Sequence, residues 1–215
     1  MSPSARVPCE GSVAIASTGR GCQMDQQDRK AALRRSVRDA RRTLDPEARH
    51  SAAVAINRRL LHLPELLTAR VVLLYAASNA EVDVEPTANA LRSRGVRTLY
   101  PRVRGVDLDL IAVSSPLELV GGHRGILEPQ GAAADPSIVD AVVVPGVAYD
   151  LRGRRLGQGG GHFDRLLPRI GEAWRIAVAF TVQIVPAIPH SSHDVPMDLL
   201  VTERGVHRFD RESPA

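Results

Sequence analysis

Apolar positions recur at two distinct periods along this chain. Between residues 28 and 43, Leu33, Val37 and Ala40 fall three and four apart with charged residues between them, which lays an apolar stripe along one face of a helix. Asp28 is placed to cap its start. Asp45-Pro46-Glu47 opens a second helix with a cap, a proline suited to the first turn and an acid near the positive end. It continues to about Leu63, where Pro64 interrupts it. Elsewhere the pattern changes to short apolar runs at 71–75, 96–100, 108–113, 141–145, 175–180 and 199–202, the length of buried strands. Helices are expected at 85–94, closed by Gly95, and at 162–170. Strands alternating with helices predict an α/β domain: a three-layer α/β/α, Rossmann-like arrangement with a mostly parallel sheet. Residues 1–27, polar and without periodicity, read as a disordered extension, 28–210 as one domain and 211–215 as a tail. Met24, just ahead of the first helix, is a candidate internal start.

Composition narrows the class. The 215 residues are 44% apolar but only 3% aromatic, so the core must be built from Leu, Val, Ile and Ala. No apolar run approaches the roughly 18 residues that would span a bilayer. Residues 13–16 are too short a run for the core of a signal peptide, and the chain reads as cytoplasmic, with no membrane partner. Cys9 and Cys22 both lie in the extension, so the domain implies no disulfide framework or cysteine metal site.

The net charge is +4, and between Lys30 and Arg49 seven basic residues face three acids. That stretch is either a solvated helix face or a funnel for a polyanionic ligand. One Trp, three Tyr and three Phe leave little to stack on bases, which argues against nucleic acid as a partner. Every basic residue except Lys30 is arginine. A compact ammonium kept in so biased a chain hints at a phosphate contact.

The richest segment is 142–166, VVVPGVAYDLRGRRLGQGGGHFDRL. An apolar strand ends at Pro145, a polar turn follows around Arg152-Gly153, and Gly157, Gly159, Gly160 and Gly161 lead into a helix start. Glycines let backbone N–H groups approach an anion, and a helix N-terminus adds its positive end. The loop is neither a P-loop, lacking Gly-Lys-Ser/Thr, nor a dinucleotide fingerprint. A flexible surface connection is the bland alternative, but Arg154 and Arg155 before the loop and Asp164 and Arg165 after it weigh against that. In open α/β sheets ligands bind beyond the carboxyl ends of the strands, where this loop would lie. Two further segments are candidates for the same site. Lys30 and Arg34 share a helix face at i and i+4, and Glu81-Val82-Asp83 follows the first strand.

Taken together, these residues resemble the 5-formyltetrahydrofolate cyclo-ligase family, also called methenyltetrahydrofolate synthetases, over residues 28–204. The strongest marker is PGVAYDLRGRRLGQGGGHFDR, close to the family's P-G-x-x-F/Y-D-x-x-G-x-R-L-G-x-G-x-G-Y-Y-D. K-x-x-L-R in the first helix, E-V-D after the first strand, Tyr100-Pro101-Arg102, and Asp194 with Asp198 support it. The resemblance implies conversion of 5-formyltetrahydrofolate, polyglutamylated forms included, to 5,10-methenyltetrahydrofolate by a monomer, with ATP as co-substrate and Mg²⁺. It places Lys30 and Arg34 on the ATP phosphates, and Arg155, Leu156, Gly157, Gln158, Gly159, Gly160, Gly161, His162 and Phe163 around ATP. Gln158 to His162 would also touch the folate, Glu81 would bind it, and Asp164 and Asp194 would hold Mg²⁺. Lys30, Arg155 and Asp164 form the implied catalytic set.

Two departures stand out. His162 and Phe163 replace the family's usual tyrosine pair, and Gln158 and Gly160 stand where some members carry a basic residue. The alternatives are a non-enzymatic relative that binds folate or nucleotide, and an ATP-dependent enzyme with another substrate. Within the resemblance, Asp83 has no assigned role, Asp198 reads as a local cap or pair, and His193 as structural.

Overall fold

The computed structural model describes residues 25–78, 80–122, 125–189 and 194–211. The expected extension lies outside these residues up to Met24, as do His193 and, apart from Arg211, the tail. In chain order come α1 (Gln26–Arg42), α2 (Pro46–Leu60) and the single turn α3 (Pro64–Leu67). Next are β1 (Val71–Leu73), α4 (Glu85–Ser93) and the hairpin of β2 (Arg97–Arg104) and β3 (Asp107–Ala112). A small pair, β4 (Leu119–Gly121) and β5 (Leu127–Pro129), precedes β6 (Ala133–Ala134) and β7 (Ala141–Val144). The ribbon β8 (Ala148–Tyr149) and β9 (Arg155–Leu156) leads to α5 (His162–Leu166), and β10 (Trp174–Val178), β11 (Leu199–Val201) and β12 (Val206–Arg208) complete the chain.

The main sheet has the order β12-β11-β10-β7-β1-β2-β3-β6. Its five central strands, β11 to β2, are parallel. The pairings of β12, β3 and β6 at the two edges are antiparallel. Successive strand residues alternate between two cores. Val72, Val143, Ile176 and Leu199 face α2, α3 and α4, whereas Leu73, Val142, Ala177 and Leu200 face Leu166 of α5 and the 3-10 turn Leu167–Ile170. The three-layer α/β/α expectation is therefore met. No described helix is long and apolar enough to cross a membrane.

Helix α1 belongs to neither layer. Leu33 and Val37 pack on Val147, Ala148, Leu156 and Ile188, a third core at the carboxyl end of the strands. The Asp150 carboxylate knits this end: it accepts from Arg152 N, Arg154 N and Ile188 N at 3.0–3.1 Å. That bonding accounts for the Tyr149–Gly153 turn without any catalytic role for Asp150.

Several expectations need correction. Asp25, not Asp28, caps α1, accepting from Asp28 N at 2.8 Å, so the helix begins at Gln26, ahead of the expected start. The segment expected as one helix at 162–170 is five α-helical residues followed by a 3-10 turn carrying Pro168. Strand β2 runs four residues past Tyr100 because Pro101–Arg104 continue the antiparallel ladder with β3 after the pairing with β1 has ended at Leu99. The short strands β4, β5, β6, β8, β9 and β12 have no periodicity to betray them.

Candidate functional site

Strand order reverses between β1 and β7. From β1 the chain passes through α4 on one face to β2, and from β7 through α5 on the other face to β10. The two outgoing connections, residues 74–84 and 145–161, must therefore diverge and leave a crevice beyond the strand ends. One connection carries Glu81 and the other the glycine loop. Helix α1 lies across the opening.

Four side chains of α1 reach into this crevice. Lys30 Nζ pairs with Asp194 Oδ2 at 3.0 Å, and Arg34 Nε donates to Gly157 O at 2.9 Å. Arg38 Nη2 donates to Gln158 O at 3.2 Å and to its Oε1 at 2.5 Å. Arg41 is buried, with the Glu81 carboxylate near enough for its charge to act on it. Burial lowers the Arg34 pKa; neighbouring Arg38 adds to this, and Asp164 opposes it. Burial likewise lowers that of Arg41, against the pull of Glu81. Both remain charged, since a guanidinium keeps its proton in proteins.

The glycine loop is held from several sides. Gly159 (φ +109°) and Gly161 (φ +68°) occupy backbone conformations that L side chains rarely adopt. A Cβ on Gly161 would also meet Arg165 Nη1 at 2.7 Å. Arg155 is buried under the loop, donating from Nη1 to Pro145 O at 3.2 Å and from Nη2 to Asp164 Oδ1. Its guanidinium lies 5.8 Å from the Phe163 ring centroid. Gln183, also buried, donates to Gly146 O and Val147 O at 3.0 Å and so fixes the turn that receives Arg155. Leu156 points into the α1 core and serves the site as scaffold. The α-helical part of α5 is too short for much dipole, so anion attraction here comes from cations and loop N–H groups.

Glu81 is equally prepared. Its Oε2 accepts from Ser78 N at 3.0 Å and Ser78 Oγ at 3.1 Å, and its Oε1 accepts from Gln158 Nε2 at 3.0 Å. Ala80, just before it, has φ +62°, the left-handed exception for a non-glycine residue among those described. Buried Asn57 donates to Asp83 O, and Asp83 Oδ1 accepts from the backbone N–H of Glu85, the first residue of α4. Asp83 is thus a turn residue, whereas Asp198 is not a local pair: it accepts from Arg175 N, 23 residues away, and from Arg211, 13 residues away, at the opposite end of the strands.

All three sequence-expected segments meet in one crevice. Arg38, Arg41, Ser78 and Gln183 were missed, although Arg38 continues the i, i+4 spacing of Lys30 and Arg34 and could have been found by extending it. The β2–β3 hairpin was missed as well. Its tip carbonyl, Val106 O, meets His162 Nδ1 at 2.8 Å and Arg165 Nε at 2.9 Å. Since a carbonyl only accepts, His162 Nδ1 carries the proton of that contact. Among the described residues no group of three or more His, Cys, Asp or Glu gathers to cage a metal.

Comparison with known proteins gives one consistent result. The profile of the 5-formyltetrahydrofolate cyclo-ligase family matches residues 26–203. The Escherichia coli (strain K12) 5-formyltetrahydrofolate cyclo-ligase is 29% identical over 77% of this chain and 96% of its own. The mitochondrial 5-formyltetrahydrofolate cyclo-ligase of Arabidopsis thaliana is 29% identical over 82% and 75%. The NMR structure of the Aquifex aeolicus 5,10-methenyltetrahydrofolate synthetase superposes with a TM-score of 0.77 at 36% identity, covering 86% of this chain and 95% of that one.

Proposed function

This chain belongs to the 5-formyltetrahydrofolate cyclo-ligase family and is a ligase of folate one-carbon chemistry, and from that premise we propose how its crevice performs the ATP-dependent closure of 5-formyltetrahydrofolate to 5,10-methenyltetrahydrofolate. The observation that carries this reading is the convergence of Lys30, Arg34, Arg155 and the glycine loop on one side of a crevice with Glu81 on the other. One wall suits a triphosphate and the other suits the N–H edge of a pterin, for which a carboxylate is the natural acceptor.

The chemistry asks for such an arrangement. An N-formyl oxygen is a poor leaving group. Attack of that oxygen on the γ-phosphorus forms an O–P bond, and the P–O bond to ADP breaks with its electron pair going to ADP. N10 then attacks the formyl carbon, and phosphate departs with the C–O electron pair and takes up the proton that N10 loses. The protein has to align formyl oxygen and γ-phosphate and to offset the charge spread over the phosphoryl oxygens. Lys30 and Arg34, one turn apart on α1, hold the phosphates. The loop N–H groups cradle them, and Arg155 orients Asp164. No covalent nucleophile is needed.

Asp164 and Asp194 suit Mg²⁺ by donor type, since both are hard oxygen ligands, and this ion takes one or two protein carboxylates alongside phosphates and water. When bound, the ion would neutralise charge on the β- and γ-phosphates. Each carboxylate sits against a cation, Asp164 on Arg155 and Asp194 on Lys30, which supports an anionic role for both in this site.

The test is direct. Purified protein with 5-formyltetrahydrofolate, ATP and Mg²⁺ should develop the near-ultraviolet absorption of the methenyl product, one ADP per turnover. Absence of product with Mg²⁺-dependent ATP binding retained would point to another formyl substrate. Absence of both would remove the site reading altogether.

A further inference from the structure

Helix α1 presents four cations to the crevice, and the function proposed above uses only the first two. The row has a direction. Lys30 meets Asp194, Arg34 meets Gly157, Arg38 meets Gln158, and Arg41 lies under the influence of Glu81. At 1.5 Å rise per residue, Arg38 stands about 6 Å beyond Arg34 and about 12 Å beyond Lys30 along the axis. The row therefore leads from the proposed phosphate end of the crevice toward the proposed pterin end.

Arg38 differs from its neighbours in how it is held. Both acceptors of its Nη2, the carbonyl and the side-chain oxygen of Gln158, are neutral. Its position is fixed while its charge is left uncompensated by them. Gln158 turns its other end to Glu81, Nε2 to Oε1 at 3.0 Å. A chain Arg38–Gln158–Glu81 thus bridges α1, the glycine loop and the β1–α4 connection, and Gln158 keeps the guanidinium from closing onto the carboxylate. The loop itself holds no cation between Arg155 and Arg165, so α1 supplies charge to this stretch from outside.

We propose that Arg38 is a further catalytic residue: the cation at the point where the terminal phosphate of ATP meets the formyl oxygen, contacting the transferring phosphoryl group. This rests on the proposed placement of phosphates at Lys30 and Arg34 and of the pterin at Glu81. As the phosphoryl group passes from ADP to the formyl oxygen, its charge moves along the row, away from Arg34 and toward Arg38. No proton passes through Arg38, because a guanidinium does not release one. Its contribution is electrostatic and is largest in the transition state. Gln158 is the positioning residue that holds it.

The experiment compares wild type with Arg38→Gln, Arg38→Lys and, as a control, Arg35→Gln on the exposed side of the same helix. Arg38→Gln is expected to lower kcat about a hundredfold with KM for ATP and folate changed only a few-fold. Arg38→Lys recovers part of kcat, keeping the charge without the planar fork, and Arg35→Gln is unchanged. ATP affinity by calorimetry and the melting temperature of Arg38→Gln stay near wild type. An unchanged kcat overturns the proposal. So does a loss confined to KM, which would make Arg38 a ground-state binder. A joint loss of kcat and melting temperature with no recovery in Arg38→Lys would make it structural, and also overturns it. A wild type without turnover brings down the proposed function and this inference together, whereas normal turnover in wild type and Arg38→Gln alike brings down this inference alone.

Discussion

Carboxylates stand in contact with cations at both ends of the parallel strands, and the two ends are built differently. At the amino ends Glu65 receives both Nη atoms of Arg208 and Asp198 receives Arg175 N and Arg211, while Asp140 accepts from Arg70 N and Val71 N. The Glu65 and Asp198 side chains are only 6% and 5% exposed, and Arg211 lies 3.8 Å from the Trp174 ring centroid. At the carboxyl ends Asp164 and Asp194 meet Arg155 and Lys30 but keep 38% and 23% exposure. Ion-pair chemistry is shared, and access decides its use. Closed pairs tied to backbone N–H groups act as locks, and open pairs can exchange a partner for a ligand. Burying a carboxylate is costly unless its bonds are complete, so at the amino ends the loss of a partner is expected to cost stability.

The comparison breaks first at the open end. Lys30→Ala and Asp164→Ala should each lower turnover by about a thousandfold or more; circular dichroism stays near wild type in both, and the melting temperature falls only in Asp164→Ala, which leaves the buried Arg155 guanidinium without its carboxylate. Normal activity in either variant would remove that residue from the site. At the closed end the outcome reverses: Arg208→Ala should cost about 2 kcal/mol in denaturant unfolding, because it leaves the Glu65 carboxylate buried without its charged partner, with kcat unchanged. A kcat that fell with Arg208 would mean the two ends are coupled.

The smallest effect is a pH dependence that sharpens the contrast. Burial raises the Glu65 pKa, but the Arg208 hydrogen bonds, a backbone N–H and the charges of Arg208 and Arg211 outweigh it and leave the value lowered. A carboxyl depressed on folding stabilises the fold above its unfolded pKa, about 4.3, and that contribution is lost as pH falls through the lower folded value. The stability gap between wild type and Glu65→Gln should therefore be constant from neutral pH to about pH 5 and close below about pH 4. A gap that closed near neutrality would contradict a depressed Glu65.

Legibility in the sequence followed the range of the interactions. Strands at 71–75, 141–145 and 199–202 were readable because an unbroken apolar run needs cover on both faces. Asp45-Pro46-Glu47 was readable because capping is satisfied within three residues: Asp45 Oδ1 accepts from Glu47 N and Ala48 N. The start of α1 was misplaced by three residues because Asp25 and Asp28 both suit a cap, and only the observed bond selects Asp25. Strands β8, β9 and β12 were invisible because two or three residues hold no period, and their pairing is set by partners elsewhere. Gln183 looked like any polar residue after a strand; its three buried bonds to Phe180, Gly146 and Val147 depend on a turn 36 residues away.

The sequence by itself determined the α/β alternation, the glycine loop and the residue types able to handle phosphate, because periodicity, backbone freedom and charge are properties of short segments. Tertiary structure alone decided that α1 leaves the helical layers to lie across the strand ends. That placement sets Lys30 against Asp194, 164 residues away, and Arg38 against Gln158, 120 residues away. The physical reason is the reversal of strand order between β1 and β7. It opens a crevice that no local pattern announces, and the small core of Leu33, Val37, Val147, Leu156 and Ile188 seats α1 over it.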